Sequence, residues 1–551
     1  MTQYLLAAEA DKIQDLIFRS SRLREVIGGS QLLSRFCKEA PQKLAPPGTQ
    51  IIVNDGGSFR LLFDSKEDAE TFKERLAEAY RLATGGTLTV AEPVPVNGDF
   101  KKAAEQADRA LREAKQHRTG FVTTPHLPHM AFCASCGVEL ATEHRYRPGE
   151  NQGQYLCEHC RAKRNESDHA SATTPGAFLT DFFKTVVGDS WPNYHWPGKK
   201  KKDDQDEREP DPPMDVARFD PRNYVAYIVA DGNSMGEIFG RCDKDQLKTL
   251  SNSLRSTLYA SLAEPAKLLL ERTEDKDEQK RTHLSQFLPI LPLIAGGDDL
   301  FLLLPAPWAL DFAQRFAKAY EEHMGQLLEG QKIRADTDPT VAVAVIICKA
   351  KYPYYLAHQR GEELLKQAKQ TTKRWAVESG KTPRSIVTFE VILGNRLGGA
   401  EWSGNYRPTL GPYWVKSDVE GWGLDINHLI EQRYKLRGLP RRRLAQLRAH
   451  FDTLTGIASK DDFEQWSKQL KQLLERFPKA QRDIVEQALA ALGGQDFYFV
   501  ERTTDRDSWY GHALPDLLNV WDFAFSLGCP RVKYEEYSDE SETNLPDCFK
   551  E

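Results

Sequence analysis

The sequence predicts an α+β protein built from two copies of one split β-α-β module, separated by a cysteine-rich insertion and followed by a helical region. Three observations predict it. Two apolar strand pairs, IIVNDGGSFRLLF from residue 51 and LPLIAGGDDLFLLLP from residue 291, each fold back on a double glycine. Each pair is followed by helix, strand and helix in the same order: AETFKERLAEAYRLA, TLTVAEPV and KKAAEQADRALREAKQ after the first, and ALDFAQRFAKAYEEH, TVAVAVIICKA and LAHQRGEELLKQAKQ after the second. Between the copies stand two CxxC pairs.

At 551 residues the chain exceeds one core, and about 150 residues per domain suggests three or four units. No apolar run of about 18 or more uncharged residues exists, so no membrane-spanning helix is expected. The start, MTQYLLAAEADKIQ, carries carboxylates and no basic stretch, unlike a signal peptide, and a cytoplasmic location is expected. With a net charge of −6, any nucleic-acid contact must come from local basic patches.

The first module spans residues 1–125. A strand over Gln3 to Ala8 leads into a helical stretch in which Gly28-Gly29-Ser30 interrupts the apolar spacing, so Ser30 is expected to cap a second helix over Gln31 to Cys37. Setting Gly56-Gly57 on Gly296-Gly297 pairs Ser58 with Asp298 and Phe59 with Asp299. The first copy thus keeps the turn without the acids. Glu9 falls where Asp231 falls in the second copy. Each copy reads β-α-β-β-α-β-α, the ferredoxin-like split βαβ pattern.

Residues 126–170 hold Cys133, Cys136, Cys157 and Cys160, with twenty residues between the pairs. Four thiolates close a tetrahedral shell around Zn²⁺, each CxxC turn supplying two, and the site is expected to be structural. A redox CxxC is the alternative; His144 and His159 are expected to be surface residues. Residues 171–220 are expected to be a linker, because GKKKKDDQDEREPDPP cannot bury apolar area.

The second module spans 221–390. YVAYIVADGNSMGEIFG is a strand ending in Asp231-Gly232, then a helix. In a split βαβ sheet that strand end lies beside the hairpin tip of Gly296, Gly297, Asp298 and Asp299. Three carboxylates there can hold Mg²⁺ or Mn²⁺, clamp a nucleoside triphosphate and activate a ribose hydroxyl. Gly232 leaves room for close approach by phosphates. A glycine turn with two solvated acids is the alternative reading of GGDD.

IQDLIFRSSRLREVIGGSQLL, GGSF, the Cys133 to Cys160 block, DGNSMG and GGDD occur in the order of one known family. Over about the first 400 residues the chain resembles CRISPR-associated protein ten, the large subunit of type III effector complexes, with its paired palm domains. The resemblance implies two ferredoxin-like palms, a zinc-binding insertion and a C-terminal helical domain. It also implies a nucleotidyltransferase that joins ATP into cyclic oligoadenylates when the complex captures target RNA. Its partners would be other type III subunits, guide RNA and target RNA. On that resemblance Asp231, Asp298 and Asp299 carry the metals, and Lys369, with Lys373 beside it, contacts the triphosphate; an exposed helical lysine is the alternative for Lys369. Two departures stand out. The sequence has no His-Asp dipeptide of an HD nuclease domain, so no DNA cleavage is expected, and Asn233 stands where the family often has a second Asp.

Residues 391–436 are rich in Gly, Trp and Tyr and are expected to be an irregular connection; 437–551 are expected to be helical. Lys435, Arg437, Arg441, Arg442 and Arg443 form the candidate phosphate contact, with a solvated helix start as the alternative.

Overall fold

Strand β1 (Gln3–Asp11) is buried through its apolar middle, Leu5 to Ala8, where it is paired on both sides. In the computed structural model it lies between β3 (Ser58–Phe63) and β4 (Thr87–Val90), with β5 (Val94–Val96) beside its N-terminal end and β2 (Gln50–Asp55) outside β3, all antiparallel. The described residues are all except 1, 21, 117–128, 146–152, 171–176, 199–210, 274–286, 334–337, 394–405, 417–423, 455–456, 458, 494–499, 504–507 and 530–551. Helices α1 (Ile13–Phe18), α2 (Leu23–Leu44), α3 (Lys66–Thr84) and α4 (Phe100–Gln116) complete the first module.

The cysteine-rich insertion carries β6 (Glu143–Arg145), β7 (Gln154–Leu156) and α5 (Glu158–His169); α6 (Phe178–Val187) and α7 (Pro212–Ala217) follow. The second sheet repeats the first around β8 (Tyr224–Asn233), which lies between β10 (Asp299–Pro305) and β11 (Thr340–Lys349). Beyond these lie β9 (Leu291–Gly296) on one side, and β12 (Ile386–Val391) and β14 (Tyr413–Trp414) on the other. Helices α8 (Met235–Arg241) and α9 (Lys244–Thr273) follow β8, and the helices Ala309–Gly330 and Tyr354–Ser379 follow β10 and β11.

The two hairpins differ by one residue from the glycine-on-glycine alignment. Asp55 pairs with Ser58 across Gly56-Gly57, both at positive φ, whereas Gly296 pairs with Asp299 across Gly297-Asp298. A two-residue turn fixes the register, so the counterparts of Asp298 and Asp299 are Gly57 and Ser58. The first copy still lacks acids at these places. Glu9 faces Ser58 in the first sheet, and Leu300 faces Ala230 in the second, which sets Glu9 and Asp231 at equivalent positions.

Helix α2 runs unbroken through Gly28-Gly29, contrary to the expected interruption. The glycines serve packing there. A Cβ on Gly28 would lie 1.8 Å from the Lys163 carbonyl oxygen, so their absence lets α5 lie against α2. Ser30 caps nothing; its hydroxyl donates to the Leu293 carbonyl at 2.6 Å, tying α2 to the second sheet. Buried Glu25 of α2 accepts hydrogen bonds from Ser135 of the insertion, Arg164 of α5 and Ser20. The Ser20 carbonyl in turn accepts from the Tyr354 hydroxyl.

The expected linker is only partly one. Its charged run, 199–210, lies outside the described residues, but Phe178, Phe182, Phe183, Trp191 and Trp196 are buried, and the Tyr259 hydroxyl of α9 donates to the Phe178 carbonyl at 3.2 Å. The stretch expected to be irregular holds the helix Ile426–Lys435. The C-terminal part adds helices Arg441–Asp452, Lys460–Glu475, Lys479–Ala491 and Leu514–Asn519, and a small sheet of β13 (Tyr406–Arg407), β15 (Val500–Thr503) and β16 (Ser508–Gly511). Buried Asp516 accepts from Tyr413, the Leu410 amide and Thr409, fastening this part to the second sheet.

The α2–α5 packing makes a paired prediction. Gly28→Ala should destabilise the protein by about 1–3 kcal/mol through overpacking. Gly29→Ala, whose Cβ would meet Lys163 side-chain atoms at 3.7 Å, should be neutral or stabilising by up to about 1 kcal/mol from helix propensity. Denaturant unfolding of the two variants separates them.

Candidate active site

The acids gather where the repeat predicts. Asp231 lies just past the last β8–β10 pair at Ala230 while still paired with Ala342 of β11, Asp298 lies in the hairpin turn and Asp299 opens β10. Asp298 hydrogen-bonds Asp231, and burial followed by the Asp231 charge pushes its carboxyl up to about 7. Asp299 keeps solvent-accessible area, yet burial of its remainder and the charges of Asp298 and Asp231 raise it well above the usual range. Lys369, on the helix Tyr354–Ser379, forms an ion pair with Asp231 and donates to the Gly232 carbonyl at 3.1 Å. Lys373 is exposed one helical turn further along.

The hard oxygen donors suit Mg²⁺ or Mn²⁺. Their spacing is open: among the described residues only the four cysteines bring three or more ligand atoms within 4.8 Å of one another. Three carboxylates without a cation repel one another, and the Lys369 ammonium occupies part of the space a cation would neutralise.

Each glycine has its own use. Gly297 takes φ +63 in the turn. A Cβ on Gly296 would come within 3.5 Å of Gly56, where the two hairpin tips meet. The space at Gly232 is not left open for phosphates: a Cβ there would meet Met235, the Tyr320 hydroxyl at 2.8 Å and Asp298 Oδ2 at 3.0 Å. Asn233 is buried and donates to Thr340 at 3.0 Å, so the position that departs from the family pattern is turned into the sheet. An aspartate there would carry a buried charge, which Asn avoids.

Several residues were not found from the sequence. Glu362 and His358 lie about two and three turns N-terminal to Lys369, i,i+4 to each other, a spacing open to a helical reading of LAHQRGEELLKQAK. Glu362 is raised by burial and by Asp231, and Gln14 of the first module hydrogen-bonds it. A cavity of about 390 Å³ between the modules is lined by Glu9, Gln14, Arg255, Asp299, His358 and Glu362, among others. Across it the first module keeps its own pair, Lys115 on Glu9 at 2.8 Å, from a helix that carries the same AKQ sequence as stands around Lys369.

The cysteine cluster meets a zinc test. Tetrahedral Zn–S bonds of about 2.3 Å place thiolates about 3.8 Å apart, and Cys136 and Cys157 Sγ lie 3.9 Å apart. The Ser135 and Cys160 amides donate to Cys133 and Cys157 sulfurs at 3.4 Å. Among the expected surface histidines, His159 is half-buried and pairs with Glu139 at 2.6 Å, against the α3 C-cap at Gly85. In the basic cluster Lys435, Arg441 and Arg442 are exposed, whereas Arg443 covers the Phe477 ring and donates to Gln446.

Two split βαβ modules set tip to tip, one with acids at a strand end and hairpin, define a double-palm protein. Residues 224–378 match the family model described as Cas10/Cmr2, second palm domain. The acid-bearing module is therefore similar to a Cas10/Cmr2 second palm, which supports a Cas10-family protein. No curated protein matches the sequence. Among solved structures, the fold resembles a Csm1–Csm4 cassette in complex with cA4, at TM-score 0.51 and 14% identity over 95% of this chain and 70% of that one. Csm1 in T. onnurineus is similar at TM-score 0.41 and 14% identity, over 70% of this chain and 53% of that one.

Two predictions follow from the side chains. Cys160→Ser should release zinc, seen by metal analysis, and lower the unfolding temperature, because metal binding there is folding energy. His358, packed between Phe18 and Phe301 and 3.7 Å from Glu362, is pushed down to about 4 by burial. The folded state holds it neutral while the unfolded chain protonates near 6.5, so its stabilisation is full above pH 6.5 and fades as pH falls toward 4. Between pH 6.5 and 5 wild type should lose about 2 kcal/mol more than His358→Gln in urea unfolding.

Proposed function

We propose that the protein is the large subunit of a type III CRISPR effector complex that, on target-RNA capture, joins ATP into cyclic oligoadenylates. The observation that carries this is the cluster of Asp231, Asp298, Asp299 and Lys369 at the rim of a cavity shared by two palms. The fold likeness to a Csm1–Csm4 cassette in complex with cA4 supports the same product class.

Asp231, Asp298 and Asp299 would hold Mg²⁺ or Mn²⁺, which when bound neutralises triphosphate charge and lowers the pKa of a ribose hydroxyl. The residues of the chain supply the rest. Lys369, already held by Asp231 and the Gly232 carbonyl, presents its ammonium to the phosphates, and an incoming anion competes with Asp231 for it. The two palms fix two nucleotides face to face, and the apolar walls of Ile13, Val229 and Phe301 limit water around them. Lys435, Arg441 and Arg442 are the residues placed to contact an RNA backbone, and other type III subunits are the partners.

A second reading, a non-catalytic scaffold that binds nucleotide or RNA, is favoured by the open spacing of the acids and by Lys369 lying on Asp231. The test is the reconstituted complex with ATP, Mg²⁺ and guide-matched RNA. Oligoadenylate should form, need the RNA, and fall at least about a hundredfold in Asp298→Asn and Asp299→Asn. Absence of product from wild type would leave the scaffold. Product without any RNA would favour a standalone GGDEF-like nucleotide cyclase.

A further inference from the structure

Tyr320 lies on the helix Ala309–Gly330 with 1% of its surface exposed, directly behind the acid cluster. Its hydroxyl approaches the Met235 sulfur at 3.9 Å, the outer limit for such a contact, and a thioether is a weak acceptor. Buried tyrosine hydroxyls ordinarily find a better partner. One stands close by. A Cβ on Gly232 would lie 2.8 Å from the hydroxyl and 3.0 Å from Asp298 Oδ2, so both atoms border the one gap that the glycine leaves and are no more than about 6 Å apart. Asp298 meanwhile is engaged with Asp231. A cation held between those two carboxylates replaces their mutual hydrogen bond and leaves Asp298 an oxygen lone pair to be satisfied from behind.

We propose that Tyr320 is a positioning residue of the acid cluster: with a divalent cation bound, Asp298 closes on the Tyr320 hydroxyl across the gap at Gly232 and accepts from it in place of Met235, fixing that carboxylate toward the ion. This rests on the metal-binding reading of the three acids. It gives Gly232 a role distinct from phosphate approach, since any side chain there stands between the donor and its acceptor. Met235, in turn, is the acceptor used when the cluster holds no ion. Partners of this kind behind a ligating carboxylate change metal affinity by about 10–100-fold.

The test uses the full chain, with Mn²⁺ as probe and binding followed by electron paramagnetic resonance, so that no turnover is required. Wild type should bind Mn²⁺ at a site lost in Asp298→Asn. Tyr320→Phe, which keeps the ring and its packing, should weaken that site about 10–100-fold with zinc content and unfolding temperature unchanged. Gly232→Ala should weaken it in the same direction, and Met235→Leu should leave it intact. Binding by Tyr320→Phe within about twofold of wild type overturns the proposal while the metal reading stands. If wild type shows no Mn²⁺ site sensitive to Asp298→Asn, the metal reading itself fails and takes the proposal with it.

Discussion

The buried guanidinium of Arg255 is the contact on which the arrangement of the two palms depends. It reaches from α9 of the second palm to Asp55 at the end of β2 and to Ser34 of α2, the latter at 2.7 Å. Among the described residues its Nε has no partner, and burying such a donor costs about 1–3 kcal/mol. A buried ion pair of this kind contributes more to register than to net stability. Here the register is the meeting of the two hairpin tips at Gly56 and Gly296, and the cavity exists because the tips meet.

The two palms share more than their strand order. Lys12 and Ser234, each three residues after the equivalent acids Glu9 and Asp231, both take left-handed backbone at φ 47 and 56, although neither is glycine. Strain of that sort persists only where surrounding structure imposes it. Glu9 with Lys115 and Asp231 with Lys369 repeat one ion pair as well. Turn, strain and ion pair belong to the module itself; the hairpin acids belong to the second copy alone.

Much of this was legible. Alternation and spacing marked both modules, the double glycines marked the hairpins, and two CxxC pairs marked the thiolate cluster. Matching glycines to glycines misplaces the register of the acids by one residue, because the ladder obeys the turn: Asp55, and not Gly56, is the counterpart of Gly296. Gly28 looked like a helix break because local propensity was weighed without the Lys163 backbone that fills its open side. ATTPGAFLTDFFKTVVGDSW reads as one or two amphipathic helical turns, but the charged run beyond dominates the composition, so a linker is expected where the helix Phe178–Val187 packs. Tyr320 and Arg255 carry no local signal at all, since each matters only through residues far away in the chain.

The tip-to-tip hairpins also give the cavity an electrical direction. On the side of the second palm stand Asp231, Asp298, Asp299 and Glu362 against Lys369, its other cation Arg255 being taken up by Asp55 of the first palm; on the side of the first, Glu9 and Asp15 are balanced by Lys115 and Lys12. Between two walls alike in backbone but unequal in charge, a molecule with an anionic tail and a neutral head has one favoured way to lie, reversed only by a cation at the acidic wall. Pseudo-symmetry in the backbone is thereby compatible with asymmetry in the field, and it is the field that tells the two ends of a ligand apart.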